Sequence, residues 1–540
     1  MRKEASVKTK NIIALVLTLG LSLSYITNES KVTDLLAETE NFYAKIKIFT
    51  SVLETINRAY VDKRESDELL EDAIKGVLSN LDPHTVYLPA DAFKHWNQNF
   101  EGYTGIGISF EVLQEKITLI SVIEGSPAAK FNMQPGDKIL EIDGESVIGI
   151  KREEVSKKLM GPVGQPVTIK IASSRLTRPQ EYTLLRRRIT LDSVPLALEI
   201  RPGVGYIKLA RFTTKTPREL ETALNNLESQ GMESLILDLR GNSGGYLNAA
   251  IEVADKFIPG GNKILSTRGR LSSSFQEYYS TASATHQLYP LIVLMDHAAA
   301  SASEIVAGAI QDLDRGLIVG KTSFGKGLVQ SQYRFQDGSA LLITTARYYT
   351  PSGRPIQRNY FNKSKDEYYH DAYDDEYLTS EDAKKGKPKF KTLSGRLVYG
   401  GGGITPDIWI KSQNNVLSQK LRELYFSEQR IFYAFADDFL NKNPALRKNL
   451  RFFINRFFVT EKTYQKFAHF VKKSVPEFAR VDFTSDKKDI KFLLKREMAY
   501  LIGGSEARFR VNLQRDNQLN ESLKYLQKAR ELITQAYSLN

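Results

Sequence analysis

Residues 189–360 alternate short apolar strands with amphipathic helices, and this alternation constrains the fold more than any other feature of the sequence. The strand SLILDLR is followed by the helix LNAAIEVADKFI, and the strand LIVLMD is followed by the helix ASEIVAGAIQ. Strands that run parallel need a long crossover connection, and a helix usually provides it. The pattern therefore predicts an α/β domain with a helix-flanked sheet over residues 189–410.

The segments around this domain have different patterns. Residues 33–100 place apolar side chains at three-to-four spacing, which is typical of helices, whereas residues 101–188 contain short strands separated by glycines. Residues 362–394 hold eight acidic residues and are expected to form a surface insertion, and residues 411–540 have a helical, polar, aromatic-rich pattern. We therefore expect a multidomain α/β protein with a helical N-terminal region, a β-rich domain, the α/β core and a helical C-terminal extension.

The first thirty residues have the pattern of an export signal. Four basic residues within residues 1–10 precede an uncharged, largely apolar run over residues 11–28. As a helix, this run would rise about 27 Å, which is the lower limit for spanning a bilayer. The segment 1–30 is therefore predicted to be either a cleaved signal peptide or a membrane anchor formed by residues 11–28.

The residue types present exclude several kinds of site. The chain has no cysteine, so disulfides, thiolate nucleophiles and cysteine-ligated zinc are impossible. Its six histidines are scattered and none form an H-x-x-x-H pair. We expect neither a metal site nor a cofactor.

The positive charge is concentrated in one part of the chain. The formal net charge is +12, and residues 411–540 supply most of it, with 25 Lys+Arg against 14 Asp+Glu. A basic protein can bind nucleic acid, but the sequence has no RNP, helix-turn-helix or zinc signature, so we expect none here. We expect the C-terminal extension to contact a partner subunit, an adaptor or an anionic membrane surface.

Ser301 precedes a helix and has two interpretations. In the first it is an N-cap whose capping box is completed by Glu304, and this is the commoner role for such a serine. In the second it is a nucleophile, whose developing oxyanion would meet backbone N–H groups at the positive end of the helix.

Lys326 lies between two glycines in GKTSFGKGLVQ, and Gln330 follows four residues later. In an extended segment both side chains project to the same face, so Gln330 could orient the amine. A lysine acts as a general base only when its amine is neutral, and most lysines are solvated surface charges. The nearby GLIVGKT is not a phosphate loop, because only three residues separate Gly316 from Gly320.

The β-rich domain resembles a PDZ domain. The resemblance rests on GIGI at 105–108 and on EGSPAAKFNMQPGDKILEIDGESV. It implies that a peptide lies between strand 106–111 and helix 151–160, and that its C-terminal carboxylate is bound by the backbone N–H groups of Gly105, Ile106, Gly107 and Ile108. The alternative is that these glycines only turn the chain.

Several motifs occur in the order of the C-terminal processing peptidases, also called tail-specific proteases. They are LDPHTVYL, the PDZ-like module, DLRGNSGG, SASE, GKTSFGKGLVQ, TPSGRPIQ and GGGGITPDIWI, and the resemblance covers roughly residues 40–410. It implies a crotonase-like core in which Ser301 is the nucleophile, Lys326 the general base and Gln330 the residue that orients the lysine. The oxyanion hole would be formed by the N–H groups of Ala302 and Gly245, with Gly244 as the alternative to Gly245.

The same resemblance implies biological context. It suggests protein substrates with apolar C-terminal tails, an adaptor or activator protein, and a location in the bacterial periplasm or cell envelope, either soluble or tethered to the membrane. We also expect a homo-oligomer that assembles through the terminal helical regions. The alternative function is a catalytically silent PDZ scaffold that binds C-terminal peptides.

The sequence departs from the family pattern at one position. Many relatives have an arginine before the glycine that follows the PDZ helix, whereas Met160 occupies that place here, so coupling between peptide binding and activation is in doubt.

Asp296 and His297 could suggest a Ser-His-Asp triad, but both lie at the end of one strand close to Ser301, which disfavours triad geometry. His84 is expected to fix a turn.

Overall fold

The computed structural model describes residues 41–113, 115–123, 125–131, 133, 136–173, 178–282, 286–374, 379–410, 417–427, 429–478 and 480–537. The chain divides into two compact units, Met1–Asp82 and Pro83–Asn540. The export signal or anchor predicted at residues 1–30 lies outside the described residues, so it stays a prediction.

Two helices form the described part of the first unit, namely α1 (residues 41–59) and α2 (Ser66–Leu78). No side chain of α2 is buried, and large apolar side chains such as Phe42, Phe49 and Val77 are exposed. Within the described part of the chain, no helix is both long enough and apolar enough to cross a bilayer.

The second unit begins with β1 (Val86–Leu88) and α3 (Ala90–Glu101), and the β-rich domain follows. The elements of that domain are β2 (Tyr103–Gly105), β3 (Ile108–Leu113), β4 (Lys116–Val122), α4 (Pro127–Lys130), β5 (Lys138–Ile142), β6 (Glu145–Ser146), α5 (Arg152–Leu159), β7 (Pro166–Ala172), β8 (Gln180–Leu185) and β9 (Arg187–Ile189).

The sheet of this domain is antiparallel, with the order β3-β4-β5-β7-β8 and with β6 paired to β5. Val167, Ile169 and Ile171 alternate along β7 and are all buried, because every second side chain of a strand faces the core. β2 pairs with β9, which brings the two ends of the domain together.

The α/β core follows. Its elements are β10 (Leu196–Arg201), β11 (Val204–Lys208), α6 (Thr216–Ser229), β12 (Ser234–Asp238), α7 (Leu247–Asp255), β13 (Lys263–Gly269), β14 (Gln276–Tyr279), β15 (Leu291–Met295), α8 (Ala302–Asp312), β16 (Leu317–Gly320), β17 (Leu328–Arg334), β18 (Ala340–Tyr349), α9 (Lys365–Asp374), β19 (Lys389–Lys391), β20 (Leu397–Tyr399) and β21 (Ile408–Trp409).

The main sheet of the core has the order β10-β11-β12-β15-β16-β21 and is parallel except for the β10–β11 pair. Every residue of β12 and β15 is buried, which explains why these strands are continuous apolar runs without alternation. The predicted helix-flanked parallel sheet is confirmed.

A second, antiparallel sheet has the order β1-β18-β13-β14, with β17 also paired to β18. β1 lies inside residues 33–100, where the sequence pattern predicted helices throughout. That prediction was wrong at β1, because Val86 and Leu88 pair with β18 residues far along the chain and local periodicity does not report such a partner.

The acidic insertion is not wholly on the surface. α9 lies within it, and Tyr368 of α9 is completely buried against His84 and Phe324, with ring centroids 5.3 and 5.9 Å away. The charged residues Asp366 and Glu367 on the same helix remain exposed. The insertion therefore adds an aromatic contact to the core.

The C-terminal extension is helical, as predicted. Its helices are α10 (Gln419–Tyr425), α11 (Ile431–Lys442), α12 (Leu450–Arg456), α13 (Glu461–Ser474), α14 (Lys487–Asn512), α15 (Asn517–Ser522) and α16 (Leu526–Tyr537). The helices α10 to α14 share an aromatic core that includes Phe432, Phe453 and Phe467, whereas Phe452 and Phe458 are exposed.

The extension also packs against both other domains of the second unit. Leu519 of α15 and Ala529 of α16 cover Ile236 and Ile292 on one face of the main sheet. The Tyr433 hydroxyl of α11 donates to the Leu119 carbonyl of β4 at 3.0 Å. The extension is thus part of the folded body of the second unit.

Candidate active site

Ser301 lies at the point where the chain leaves β15 and enters α8. The preceding turn is fixed by Asp296, whose Oδ1 accepts backbone N–H groups from Gly241, Ala298 and Ala299 at 2.9, 3.2 and 3.0 Å. Ser301 itself has φ 55° and ψ −113°, a conformation that is strained for any residue except glycine. Backbone strain of this kind is concentrated at functional sites.

A cavity of about 450 Å³ opens beside Ser301. It brings together the predicted residues Ser301, Lys326, Gln330, Gly245 and Ala302 in its lining. Apolar side chains form much of the remaining wall, including Trp96, Leu247, Ile305, Leu328 and Leu342. The cavity can therefore accept an apolar side chain next to the hydroxyl and amine groups.

The side chain of Lys326 is oriented as its spacing from Gln330 predicted. Lys326 Nζ donates to Gln330 Oε1 at 2.6 Å, and Gln330 Nε2 donates to the His84 carbonyl at 2.6 Å. The His84 ring in turn contacts Tyr368, with Nε2 3.0 Å from the tyrosine hydroxyl. His84 therefore links the lysine to α9, a role beyond fixing a turn.

Glu304 is completely buried beneath this site. Its carboxylate accepts the Ser301 N–H at 2.7 Å, the Gly325 N–H at 2.7 Å and the Lys326 N–H at 2.9 Å, and also the Ser323 hydroxyl. Burial raises the pKa of the Glu304 carboxyl, and these four hydrogen bonds oppose that rise. Ser301 is thus both the N-cap residue of α8 and a member of the cavity lining.

Tyr348 of β18 contacts the same two residues from the other side. Its hydroxyl lies 3.2 Å from the Ser301 carbonyl oxygen and 2.9 Å from the Lys326 carbonyl oxygen. Burial, with a further contribution from the Glu304 charge, raises the pKa of Tyr348 well above its usual range. The hydroxyl therefore remains a hydrogen-bond donor at every physiological pH.

Two glycines approach Ser301 from the loop after β12. Gly244 has φ 102°, and a Cβ atom there would lie 2.8 Å from the Ser301 Cβ, so only glycine fits. The Gly244 N–H already donates to Asn242 Oδ1 at 2.9 Å. Within the described residues, the N–H groups of Gly245 and Ala302 have no acceptor, and both residues line the cavity.

A second, smaller cavity of about 180 Å³ lies in the β-rich domain, between β3 and α5. The predicted peptide-binding residues Gly105, Ile106, Gly107 and Ile108 all line it. The opposite wall is formed by α5 and the residue after it, through Arg152, Ser156, Leu159 and Met160. The cavity therefore lies where the PDZ resemblance implies a peptide groove, and peptide binding there stays a prediction.

Three family models match the chain. They are Peptidase family S41 over residues 203–363, PDZ domain over residues 119–173 and Activating protease CtpB N-terminal domain over residues 21–92. The carboxy-terminal-processing protease of Bartonella bacilliformis is 35% identical over 353 residues, which cover 64% of this chain and 80% of that protein. The chain belongs to peptidase family S41, the carboxy-terminal processing proteases.

Two further proteins are similar to this S41 peptidase. The carboxy-terminal processing protease CtpB of Bacillus subtilis is 34% identical over 327 residues, covering 60% of this chain and 67% of that protein. A solved structure of a photosystem II D1 C-terminal processing protease is 26% identical and covers 70% of this chain and 95% of its own, with a TM-score of 0.35. The resemblance stated from the motifs is confirmed, and the S41 peptidase contains a PDZ domain.

In this S41 peptidase an arginine from outside α5 binds the C-terminal end of that helix. Met160 follows α5 and is exposed. The last carbonyls of the helix are bound instead by Arg186, which donates to Lys158 O at 2.7 Å and to Leu159 O at 3.1 Å. A guanidinium therefore stabilises the C-terminal end of α5 from β8–β9, not from the helix itself.

Sequence reasoning missed the wider contacts of the site. Glu304 was recognised only as a capping residue, and nothing in the sequence distinguished Tyr348 from other strand tyrosines. Asp296 makes backbone contacts that fix the turn, as an Asp at a strand end commonly does. Among the described residues no group of three acidic or histidine side chains could hold a metal ion.

Proposed function

We propose that this S41 peptidase is a serine endopeptidase that binds the C-terminal tail of a protein in its PDZ groove and cleaves the protein through an acyl-enzyme on Ser301. The single observation that carries the proposal is the common cavity of Ser301 and Lys326, in which Gln330 holds the lysine amine. A hydroxyl and an oriented amine are the groups that nucleophilic catalysis with a lysine base requires.

The reaction follows from the groups present. Neutral Lys326 takes the proton of the Ser301 hydroxyl as Oγ attacks the peptide carbonyl, and the carbonyl oxygen becomes an oxyanion. The tetrahedral intermediate then collapses, the C–N bond breaks and the Lys326 ammonium gives its proton to the leaving amine. Water, deprotonated by the same lysine, then attacks the acyl carbon, the ester bond to Ser301 Oγ breaks, and the Lys326 ammonium returns the proton to Oγ.

The N–H groups of Gly245 and Ala302 stabilise the oxyanion in this mechanism. Support comes from their position in the cavity and from the hydrogen bond between Gly244 and Asn242, which leaves Gly244 unsuited to the task. Ala302 is the first residue of α8, where the helix dipole adds positive potential.

Substrate choice has two parts under this proposal. The PDZ groove recognises a free C-terminal tail whose last side chain is apolar, because Ile106, Ile108 and Leu159 line that groove. The apolar wall of the active-site cavity then favours an apolar side chain beside the scissile bond. The substrates are expected to be proteins of the bacterial periplasm or cell envelope.

The test compares wild type with Ser301→Ala and Lys326→Ala on a folded substrate protein that ends in an apolar tail. Both variants are expected to lose cleavage, with Lys94→Ala, an exposed lysine of α3, as the matched control. Wild-type turnover by either active-site variant excludes the Ser/Lys mechanism. Tail binding without cleavage by the wild-type chain supports the alternative, a silent PDZ scaffold.

Partners are part of the same proposal. The exposed apolar side chains of α1 and α2 are suited to contact a second copy of the chain, which supports assembly through the terminal helical region. An adaptor or activator and a membrane tether at residues 11–28 complete the proposal. Light scattering of the purified chain measures its oligomeric state, and fractionation of cells tests the tether.

A further inference from the structure

We propose that Glu304 and Tyr348 are positioning residues that set the spacing of Ser301 and Lys326 by binding the backbones of both. The proposal rests on the Ser/Lys function proposed above. It assigns to these two buried side chains a role in the rate of acylation that they exert through the backbones of Ser301 and Lys326.

The two reacting residues belong to different parts of the core. Ser301 caps α8, which follows a strand of the main sheet, whereas Lys326 leads into β17 of the second sheet. Their relative position therefore depends on contacts between the turn before α8 and the loop that contains Lys326. A direct backbone bond from the Phe324 N–H to the Ala299 carbonyl, at 2.9 Å, joins the two segments.

The Glu304 carboxylate also connects the two segments, because it accepts hydrogen bonds from both. One of its oxygens, Oε2, accepts both the Ser301 N–H at 2.7 Å and the Lys326 N–H at 2.9 Å. The other oxygen accepts the Gly325 N–H and the Ser323 hydroxyl from the same loop. Helix capping requires only the bond from the Ser301 N–H. The three bonds from the loop that contains Lys326 therefore have no role in helix capping.

The Tyr348 hydroxyl is the hydrogen-bond donor that faces both segments. Its hydroxyl is within hydrogen-bond distance of the carbonyl oxygens of the same two residues, Ser301 and Lys326. The tyrosine is anchored in β18, and its own N–H donates to the Gly327 carbonyl at 3.0 Å. The backbone of each reacting residue is thus held at its N–H by Glu304, and the single hydroxyl hydrogen of Tyr348 is shared between the two carbonyls.

This arrangement has a consequence for catalysis. A displacement of about 1 Å between reacting groups can reduce a rate by about 100-fold, even when the substrate still binds normally. Loss of either positioning residue should therefore lower kcat and leave KM nearly unchanged. Loss of a residue that only stabilises the fold would lower the amount of active enzyme without changing the reactivity of the molecules that remain folded.

The experiment uses the full chain and the tailed substrate protein, with kcat calculated per folded molecule. Tyr348→Phe removes only the hydroxyl, and we expect kcat to fall by roughly tenfold, the effect of one hydrogen bond, with KM within about twofold of wild type. Glu304→Gln keeps the size of the side chain but replaces one acceptor oxygen by a donor, and kcat should fall by about 100-fold. Labelling of Ser301 by a fluorophosphonate should slow in parallel.

Tyr537→Phe is the matched control. The Tyr537 hydroxyl donates to the Leu313 carbonyl at 2.8 Å, at the opposite end of α8 from Ser301. This variant loses the same kind of bond from the same helix, so it reports general loosening of α8. Its kcat and its labelling rate should equal those of wild type.

The outcomes separate the two proposals. A Tyr348→Phe enzyme with kcat within twofold of wild type overturns the positioning role, as does an equal loss of kcat in Tyr537→Phe. If Glu304→Gln fails to fold, Tyr348→Phe still decides the matter. Wild-type activity in Ser301→Ala instead overturns the proposed Ser/Lys function itself.

Discussion

The amide of Gln330 binds the Lys326 amine through its oxygen, at 2.6 Å, and is itself held through its nitrogen by the His84 carbonyl. Because both amide atoms are engaged, the orientation of the amide is fixed and its oxygen must face the lysine. The direction of the lysine amine is therefore set by a strand of the second sheet and by a residue more than 200 positions earlier in the chain.

Replacement of Gln330 should impair catalysis in two distinguishable ways. Gln330→Ala leaves the amine unoriented, and we expect kcat to fall by about 10- to 100-fold with little change in KM. Gln330→Glu places a carboxylate beside the amine and favours its charged form, so activity should be lost near pH 7 and partly recovered at higher pH. The measurement is a pH–rate profile from pH 6 to 10 for both variants and wild type.

The direction in which Gln330→Glu shifts the pH–rate profile tests whether Lys326 acts as the general base. A negative neighbour stabilises the protonated lysine, and a protonated lysine cannot accept the serine proton. Wild-type activity should itself rise from neutral to alkaline pH. A Gln330→Glu profile that coincides with that of wild type contradicts a general-base role for Lys326.

Filling the PDZ groove should weaken recognition of tailed substrates. Ser156 faces the groove from α5, so Ser156→Trp is expected to raise KM for the tailed protein at least about tenfold, because the bulky ring occupies the space of the tail. Lys157→Trp introduces the same ring on an exposed position of α5 outside the groove and serves as control. Equal KM values in the two variants would remove the groove from substrate binding.

The contact between α15 and the main sheet should contribute substantially to stability. Leu519 is completely buried there, so Leu519→Ala is expected to reduce the free energy of unfolding by about 3 kcal/mol. Leu271→Ala, at an exposed position, should change it by less than about 0.5 kcal/mol. Urea denaturation of both variants measures the difference, and a loss below about 1 kcal/mol for Leu519→Ala contradicts the packing described here.

Acid should weaken one ion-pair cluster on α6. Burial disfavours the charge of Glu221, but hydrogen bonds from Lys256 and His286 outweigh it and lower the pKa of the Glu221 carboxyl from 4.5 to about 2. Because the pKa is lower in the folded state than in the unfolded chain, the group stabilises the fold above about pH 4.5, and this stabilisation is lost as the pH falls toward 2.

Glu221→Gln should therefore reduce the free energy of unfolding at pH 7 by about 1 kcal/mol, a modest value because solvent screens this half-exposed carboxylate. The difference from wild type should shrink between pH 5 and pH 3 in urea denaturation. Glu252→Gln, at an exposed position of α7, is the control for the removal of one carboxylate. A constant Glu221→Gln difference from pH 7 to pH 3 contradicts the prediction.

Local pattern was sufficient to predict the elements that carry the site. The apolar run that forms β15 and the capping signal at Ser301 predicted a strand followed by a helix. The four-residue spacing indicated that Gln330 could orient the Lys326 amine, and the two side chains are hydrogen bonded although Lys326 precedes β17. These features depend on neighbours within a few residues.

Features that depend on distant partners could not be predicted in this way. The pairing of β1 with β18 and the covering of the main sheet by α15 join residues more than 200 positions apart, as the Gln518 contact with the Met295 carbonyl illustrates. The contacts of Glu304 could be predicted only in part. Its capping bond to Ser301 is local, whereas its other three hydrogen-bond donors lie 19 to 22 residues after Glu304 in the chain. Periodicity carries no information about such contacts.

The hydrogen bond between Tyr433 and Leu119 spans 314 residues, and the C-terminal helices bury surface of both the PDZ sheet and the main sheet. During synthesis the PDZ domain and the core emerge from the ribosome long before the helices that cover them. Contacts between residues so far apart in the chain slow folding, because the entropy cost of closing a long loop comes before the apolar surface is buried. The PDZ sheet and the main sheet can therefore reach their final packed arrangement only after the C-terminal helices have been synthesised.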